Sequence, residues 1–171
     1  IPVGLDGSCN GIQHFSAMFK DEHGGAQVNL VPSNTPADVY TEVADVVEKK
    51  LQAETDDTYA QFWRGKVSRQ LVKRQVMTLP YGSTEYGMRD QLKEELKSQK
   101  DKGNDILNLN DQKLEWKAVM YLTKLIWQSI NETLKGSVTA MAWLRDIART
   151  ASKEGKGLSW TTPVGFPVNQ F

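Results

Sequence analysis

Apolar residues return at helical spacing through most of this chain and give way to strand-like runs only near its two ends. Val39, Val43, Val46, Val47 and Leu51 fall on one face of a helical period. Thr35 as cap, Pro36 at the first position and Asp38 at the third predict where that helix starts, and it should run to about Ala53. Leu114, Ala118, Leu122, Leu125 and Ile126 keep the same period from Gln112 to about Leu134; Gly136-Ser137 should break or kink it before residues 138–151 resume. Residues 84–100 read as a charged amphipathic helix with Tyr86, Met88, Leu92 and Leu96 as its apolar positions, and residues 98–111 as a flexible polar loop. Residues 12–20 are helical until Gly24-Gly25 breaks the run, residues 59–65 predict a short helix, and another begins near Ser68. Pro80 must end or kink that one, because it cannot donate to the carbonyl of Val76 and biases Leu79 away from α geometry. Two segments carry β signals: residues 1–5, which deliver Asp6, and residues 158–168, a hairpin turning at Pro163-Val164-Gly165. The expected fold is mainly α with a small β component, a helical subdomain inserted between strands.

Composition sharpens this picture in three places. At 171 residues the chain is long enough for one domain with a sizeable core. Net charge is zero, which gives no global support for nucleic-acid binding. The distribution says more: no acid lies between Asp57 and Glu85, while Arg64, Lys66, Arg69, Lys73 and Arg74 all fall there. Cys9 is the only cysteine, so neither an intrachain disulfide nor a cysteine-based metal cluster is available. No apolar run approaches the ~20 residues of a membrane span. The chain opens on Ile1-Pro2-Val3 and closes on Phe171, and reads as an excerpt of a longer protein.

The candidate chemistry sits in that cationic window. Arg69, Lys73, Met77 and Tyr81 recur every four residues, with Gly82 next. Each four-residue step turns a helix by about 400°, so these side chains form one slowly drifting stripe. Two cations one turn apart suit a polyanion such as a triphosphate. A tyrosine and a glycine at the other end suit a sugar or base that approaches the backbone. Taken singly, Met77 is a core gap-filler and Tyr81 an amphipathic edge residue. Asp6, at a strand end before Gly7, is either a hard ligand for a divalent cation or a turn residue capping the next helix. His14 and His23, with Asp21 and Glu22, show no zinc-ligand spacing and read as structural or exposed.

The spacing Arg-x3-Lys-x7-Tyr-Gly resembles the fingers motif of single-subunit DNA-directed RNA polymerases, the bacteriophage and mitochondrial type. A second block, Leu5-Asp6-Gly7-Ser8-Cys9-Asn10-Gly11-Ile12-Gln13-His14-Phe15-Ser16-Ala17-Met18, resembles the first palm motif of that family. Weaker similarity runs through Gly24-Gly25, Val28-Asn29-Leu30, Lys124-Leu125-Ile126-Trp127 and residues 160–168. The resemblance implies a map: residues 1–29 a palm segment, 30–157 helical fingers, 158–171 a returning palm hairpin. It implies template-directed transfer of nucleoside monophosphates from ribonucleoside triphosphates to an RNA 3′ end, with two Mg2+ ions in the complete enzyme. Asp6 and Gly7 would hold metal; Arg69 and Lys73 would bind the triphosphate, with Lys73 also protonating pyrophosphate. Met77 would lie along the nucleotide, Tyr81 would monitor the ribose, and Gly82 would lie close to the template. Implied partners are a DNA template, nascent RNA and the remaining palm, thumb and N-terminal domain. The implied location is the cytoplasm of an infected bacterium for a phage enzyme, or a mitochondrion or other organelle. The chain departs from the pattern at Pro80, usually a small non-proline residue, and at Ser159, often a histidine. The family's second palm aspartate lies beyond the position matching Phe171. Two rivals stand beside this reading: a related single-subunit DNA polymerase, which Tyr81 disfavours, and a noncatalytic nucleotide- or nucleic-acid-binding descendant, which Asp6 and Lys73 together disfavour.

Overall fold

Eight α-helices and one β-hairpin make up the described part of the computed structural model, which covers residues 2–4 and 6–170. The helices are α1 (Asn10–Phe19), α2 (Glu22–Gln27), α3 (Val39–Ala53), α4 (Thr58–Trp63), α5 (Arg69–Thr78), α6 (Glu85–Asp101), α7 (Gln112–Thr133) and α8 (Lys135–Lys153). A single 3₁₀ turn, Leu79–Tyr81, follows α5, and β1 (Leu158–Thr161) pairs antiparallel with β2 (Pro167–Gln170). The mainly α expectation holds. Pro2, Val3 and Gly4 form no strand, so the β bracket expected at both ends exists, among the described residues, only as the carboxyl-terminal hairpin; Ile1, Leu5 and Phe171 lie outside the described residues.

Aspartates set most of the helix starts. Asp21, Asp38, Asp57 and Asp111 each accept a backbone N–H from the first turn that follows, as does the Thr84 hydroxyl for α6. The cap of α3 is therefore Asp38, three residues later than the Thr35-Pro36 signal predicts. Gly24 and Gly25 do not end a helix; they sit buried inside α2, where a side chain at Gly24 would collide with the Asp21 carboxylate and Ser16. The break between α7 and α8 falls at Leu134 (φ −115°, ψ 42°), and Gly136 lies in the first turn of α8 against Asp21. Within residues 102–111, Leu107 is buried, and Asp105 pairs with Lys100 at 2.9 Å.

Helices α3, α5, α6 and α7 pack in a closed ring, α3 and α6 each lying on both α5 and α7. Trp63, Leu51, Leu71, Leu92, Leu122 and Ile126 fill the centre with no solvent exposure, and Trp63 Nε1 donates to the Ala118 carbonyl at 2.9 Å. Burying a Leu or Phe-sized side chain contributes about 1.5–3 kcal/mol, so this ring holds the main hydrophobic core. Outside it, α1 packs on α2, α8 and the 3₁₀ turn. The contact with the turn is close because Gly11 has no side chain: a methyl there would fall onto the Pro80 ring. Proline thus ends α5 at Thr78, as its missing N–H requires, and becomes a packing surface for α1.

Candidate active site

Helix α5 turns Leu71, Val72, Gln75 and Val76 into the core, which leaves Arg69, Lys73 and Met77 on the opposite face. That face forms one wall of an open cleft of about 460 Å³. The second wall is the turn Asp6-Gly7-Ser8-Cys9, and the third is residues 37–40 at the start of α3, with Gln27. Asp6, Gly7, Arg69, Lys73 and Met77, singled out from two blocks far apart in the sequence, therefore meet in one cleft.

The turn has a definite local cause. Gly7 N donates to the Asp6 carboxylate at 2.8 Å, Cys9 N donates to the Gly7 carbonyl at 3.0 Å, and Cys9 takes a left-handed conformation (φ 63°) before α1 begins. Asn29 then fastens this turn to the third wall. Its Nδ2 donates to Ser8 Oγ and to the Ala37 carbonyl, both at 3.0 Å, and its Oδ1 accepts from Ala37 N at 2.7 Å. Asp6 keeps its second carboxylate oxygen free of hydrogen bonds from described residues, an exposed hard donor of the kind divalent cations take. Asp38 is the other carboxylate lining the cleft. Among the described residues, no three His, Cys, Asp or Glu side chains gather.

The cationic run is less free than its composition suggests. Arg64 donates to the carbonyls of Leu51 and Glu54, and Lys66 lies 3.5 Å from the Phe62 ring, where burial lowers its pKa. Arg74 pairs with Glu94 on α6. Arg69 Nε donates to Asp38 at 2.5 Å, with its guanidinium 4.9 Å over the Tyr40 ring. Lys73 alone of the five has no ionic, hydrogen-bonding or aromatic partner among the described residues. Asp38 has its pKa held down: burial alone would raise it, but hydrogen bonds from Arg69, Thr41 and Tyr40 N–H outweigh that. Burial raises the pKa of the Cys9 thiol and of the Tyr40 phenol beside it.

Tyr81 and Gly82 do not line this cleft. The 3₁₀ turn carries Tyr81 round to α1, where its exposed hydroxyl donates to Asn10 Oδ1 at 3.3 Å. Gly82 (φ 85°) closes the turn in a left-handed conformation that a glycine adopts without strain. His14 and His23 are exposed, one of the two readings of the sequence, and lie outside the cleft.

A family model described as DNA-dependent RNA polymerase matches residues 1–171, the whole sequence. The chain belongs to the DNA-dependent RNA polymerase family. It is 39% identical over 172 residues to the mitochondrial DNA-directed RNA polymerase of Homo sapiens, and 38% identical over 178 residues to DNA-directed RNA polymerase 1, mitochondrial, of Arabidopsis thaliana. It is 36% identical over 210 residues to T7 RNA polymerase of Escherichia phage T7. Each match takes in 99% of this chain but only 13%, 18% and 23% of those relatives in turn. The chain thus spans less than a quarter of their length. No helix among the described residues is long and apolar enough to cross a membrane.

For a member of this family, three residues that build the cleft went unread in the sequence. Asp38 read as a third helical position, and the signal that could have found it is its other common role, the cap itself. Tyr40 carried no signal beyond a tyrosine on a helix. Asn29 lay in a stretch of weaker family similarity with no role attached, because its partners Ser8 and Ala37 meet it only in the fold.

Proposed function

We propose that this chain is the fingers, with flanking palm segments, of a phage- or organelle-type DNA-directed RNA polymerase. The complete enzyme adds nucleoside monophosphates from ribonucleoside triphosphates to an RNA 3′ end on a DNA template. The observation that carries this reading is the cleft in which the Asp6 carboxylate shares a space with Arg69 and Lys73. Residues 1–29 and 158–171 belong to the palm and 30–157 to the fingers. The enzyme works in a phage-infected bacterium or in an organelle.

Asp6, with the Gly7 carbonyl beside it, fits a Mg2+ ion as a hard oxygen donor set. Such an ion supplies Lewis-acid stabilisation of charge on oxygen when bound. Lys73 is a point charge without a partner among the described residues, and in this reading it binds phosphate and donates a proton to the leaving pyrophosphate. Arg69 offers a planar fork to a second phosphate oxygen. Met77 continues the same face as an apolar surface for the nucleotide. Tyr81 and Gly82, which do not line the cleft, follow one turn later in the chain and in this reading meet the sugar and the template strand.

Lys73→Ala in the complete polymerase tests this. A charge-assisted hydrogen bond contributes on the order of 1.5–3 kcal/mol, so single-nucleotide incorporation on a preassembled primer–template should slow at least roughly tenfold. Unchanged kinetics would remove Lys73 from the phosphate site.

A further inference from the structure

We infer that Asp38 is a positioning residue for nucleotide binding, acting through Arg69; the inference rests on the phosphate-binding role proposed for Arg69. An arginine has five N–H donors in a rigid fork. Asp38 takes the one on Nε at 2.5 Å, and the terminal nitrogens of Arg69 donate to no described residue. The Tyr40 ring supports the guanidinium from one face at 4.9 Å. Asp38 is itself fixed: one oxygen accepts Tyr40 N–H at 3.1 Å, and the other accepts the Thr41 hydroxyl at 3.0 Å as well as Arg69. A long, half-exposed arginine would otherwise lose much rotamer freedom on meeting a phosphate. Held at its ε edge and its face, it lines the cleft with much of that freedom already lost. Asp38 and Arg69 both line the cleft, which puts this clamp on the walls of the site and not behind it.

The carboxylate has a cost. It subtracts from the positive field that attracts a triphosphate, so the two effects of removing it oppose each other. Preorganisation wins if Asp38→Asn weakens binding; a simple competitor for Arg69 would do the reverse.

The experiment measures steady-state nucleotide incorporation by the complete polymerase with Asp38→Asn, Arg69→Ala and the double substitution. Asparagine caps a helix as well as aspartate does, so α3 and the melting temperature should largely persist. Asp38→Ser, another capping residue, replaces it if Asp38→Asn folds poorly. The expected result is a KM for the nucleotide roughly five- to tenfold higher with kcat changed less, smaller than the loss of a whole charge-assisted contact because Arg69 itself remains. The double variant should match Arg69→Ala alone, because Asp38 acts only through Arg69. An unchanged or lower KM, or additive effects in the double variant, overturns the inference. If Arg69→Ala itself leaves KM unaltered, the proposed phosphate site fails, and the inference with it. A KM raised by Arg69→Ala but not by Asp38→Asn refutes the inference alone.

Discussion

At the scale of single residues, the site is a matter of which charges are already spent. Of five cations in an acid-free stretch, four are engaged within the fold and Lys73 has no partner among the described residues. Sequence could count those charges but not assign them, since Asp38, Glu94 and the Leu51 carbonyl reach them across the fold. The Asp38–Arg69 pair makes a pH prediction. The folded pKa of Asp38 lies below the ordinary carboxylate value of about 4, so its contribution to stability is present above that value and fades as pH falls through the lower folded one. Melting curves of the protein and of Asp38→Asn should therefore differ most near neutrality and converge below about pH 4. The gap will be modest, because both partners are partly exposed and solvent screens them. Equal gaps at every pH would mean that the charge of Asp38 does not stabilise the fold. Tyr81 yields a second prediction. A group that hydrogen-bonds a substrate hydroxyl is left unpaired when that hydroxyl is missing, which is how such sites reject the deoxy analogue. Tyr81→Phe in the complete polymerase should leave incorporation largely intact and relax the preference for ribonucleotides over deoxyribonucleotides. An unmoved ratio would assign Tyr81 to packing with Asn10.

At the scale of elements, α5 does two jobs with opposite faces, of which the sequence showed the charged one and burial shows the other. The four-residue recurrence of Arg69, Lys73 and Met77 is one stripe, and Leu71, Val72 and Val76 the other. Helix existence was legible because apolar period and burial agree, as at Ala118, Leu122 and Ile126 of α7, all of them buried. Boundaries were less legible. The cap at Asp38 lies three residues past the Thr35 signal, the break at Leu134 depends on packing that no local signal encodes, and Gly24 and Gly136 mark close approach to Asp21 instead of chain breaks. Gln75 is an element-level conflict. It lies on the core face of α5 at 1% exposure, and neither of its side-chain polar atoms has a partner among the described residues. A buried unsatisfied group costs about 1–3 kcal/mol, so Gln75→Met, similar in volume, should raise the unfolding free energy by about 1 kcal/mol or more in denaturant titration. No gain would show that Gln75 is satisfied by solvent or by the rest of the polymerase.

At the scale of the whole molecule, the cleft is a junction. Its three walls come from the turn before α1, the start of α3 and the outer face of α5, held together by Asn29, by the Asp38–Arg69 pair and by Gly11 against Pro80. The amino-terminal and central parts of the chain are thus locked into one cleft, which the family resemblance of the two sequence blocks implied and periodicity alone did not. What the junction supplies is unequal to the proposed chemistry. Two-metal catalysis needs carboxylates that hold both ions a few ångströms apart. Asp6 is the one carboxylate proposed for that role; Asp38, the other carboxylate lining the cleft, already binds Arg69, Thr41 and Tyr40 N–H. The 171-residue chain by itself should therefore fail to extend a primer with magnesium, template and all four ribonucleotides, while retaining weak triphosphate binding through Lys73 and Arg69. That binding should weaken as salt rises, because the contact is largely electrostatic and screened over about 10 Å at 0.1 M. Primer extension and a salt series of nucleotide-binding isotherms on the purified chain check both halves. Template-dependent extension would require a second metal-binding carboxylate within these residues, and Asp38, released from Arg69, would be the first to test by substitution.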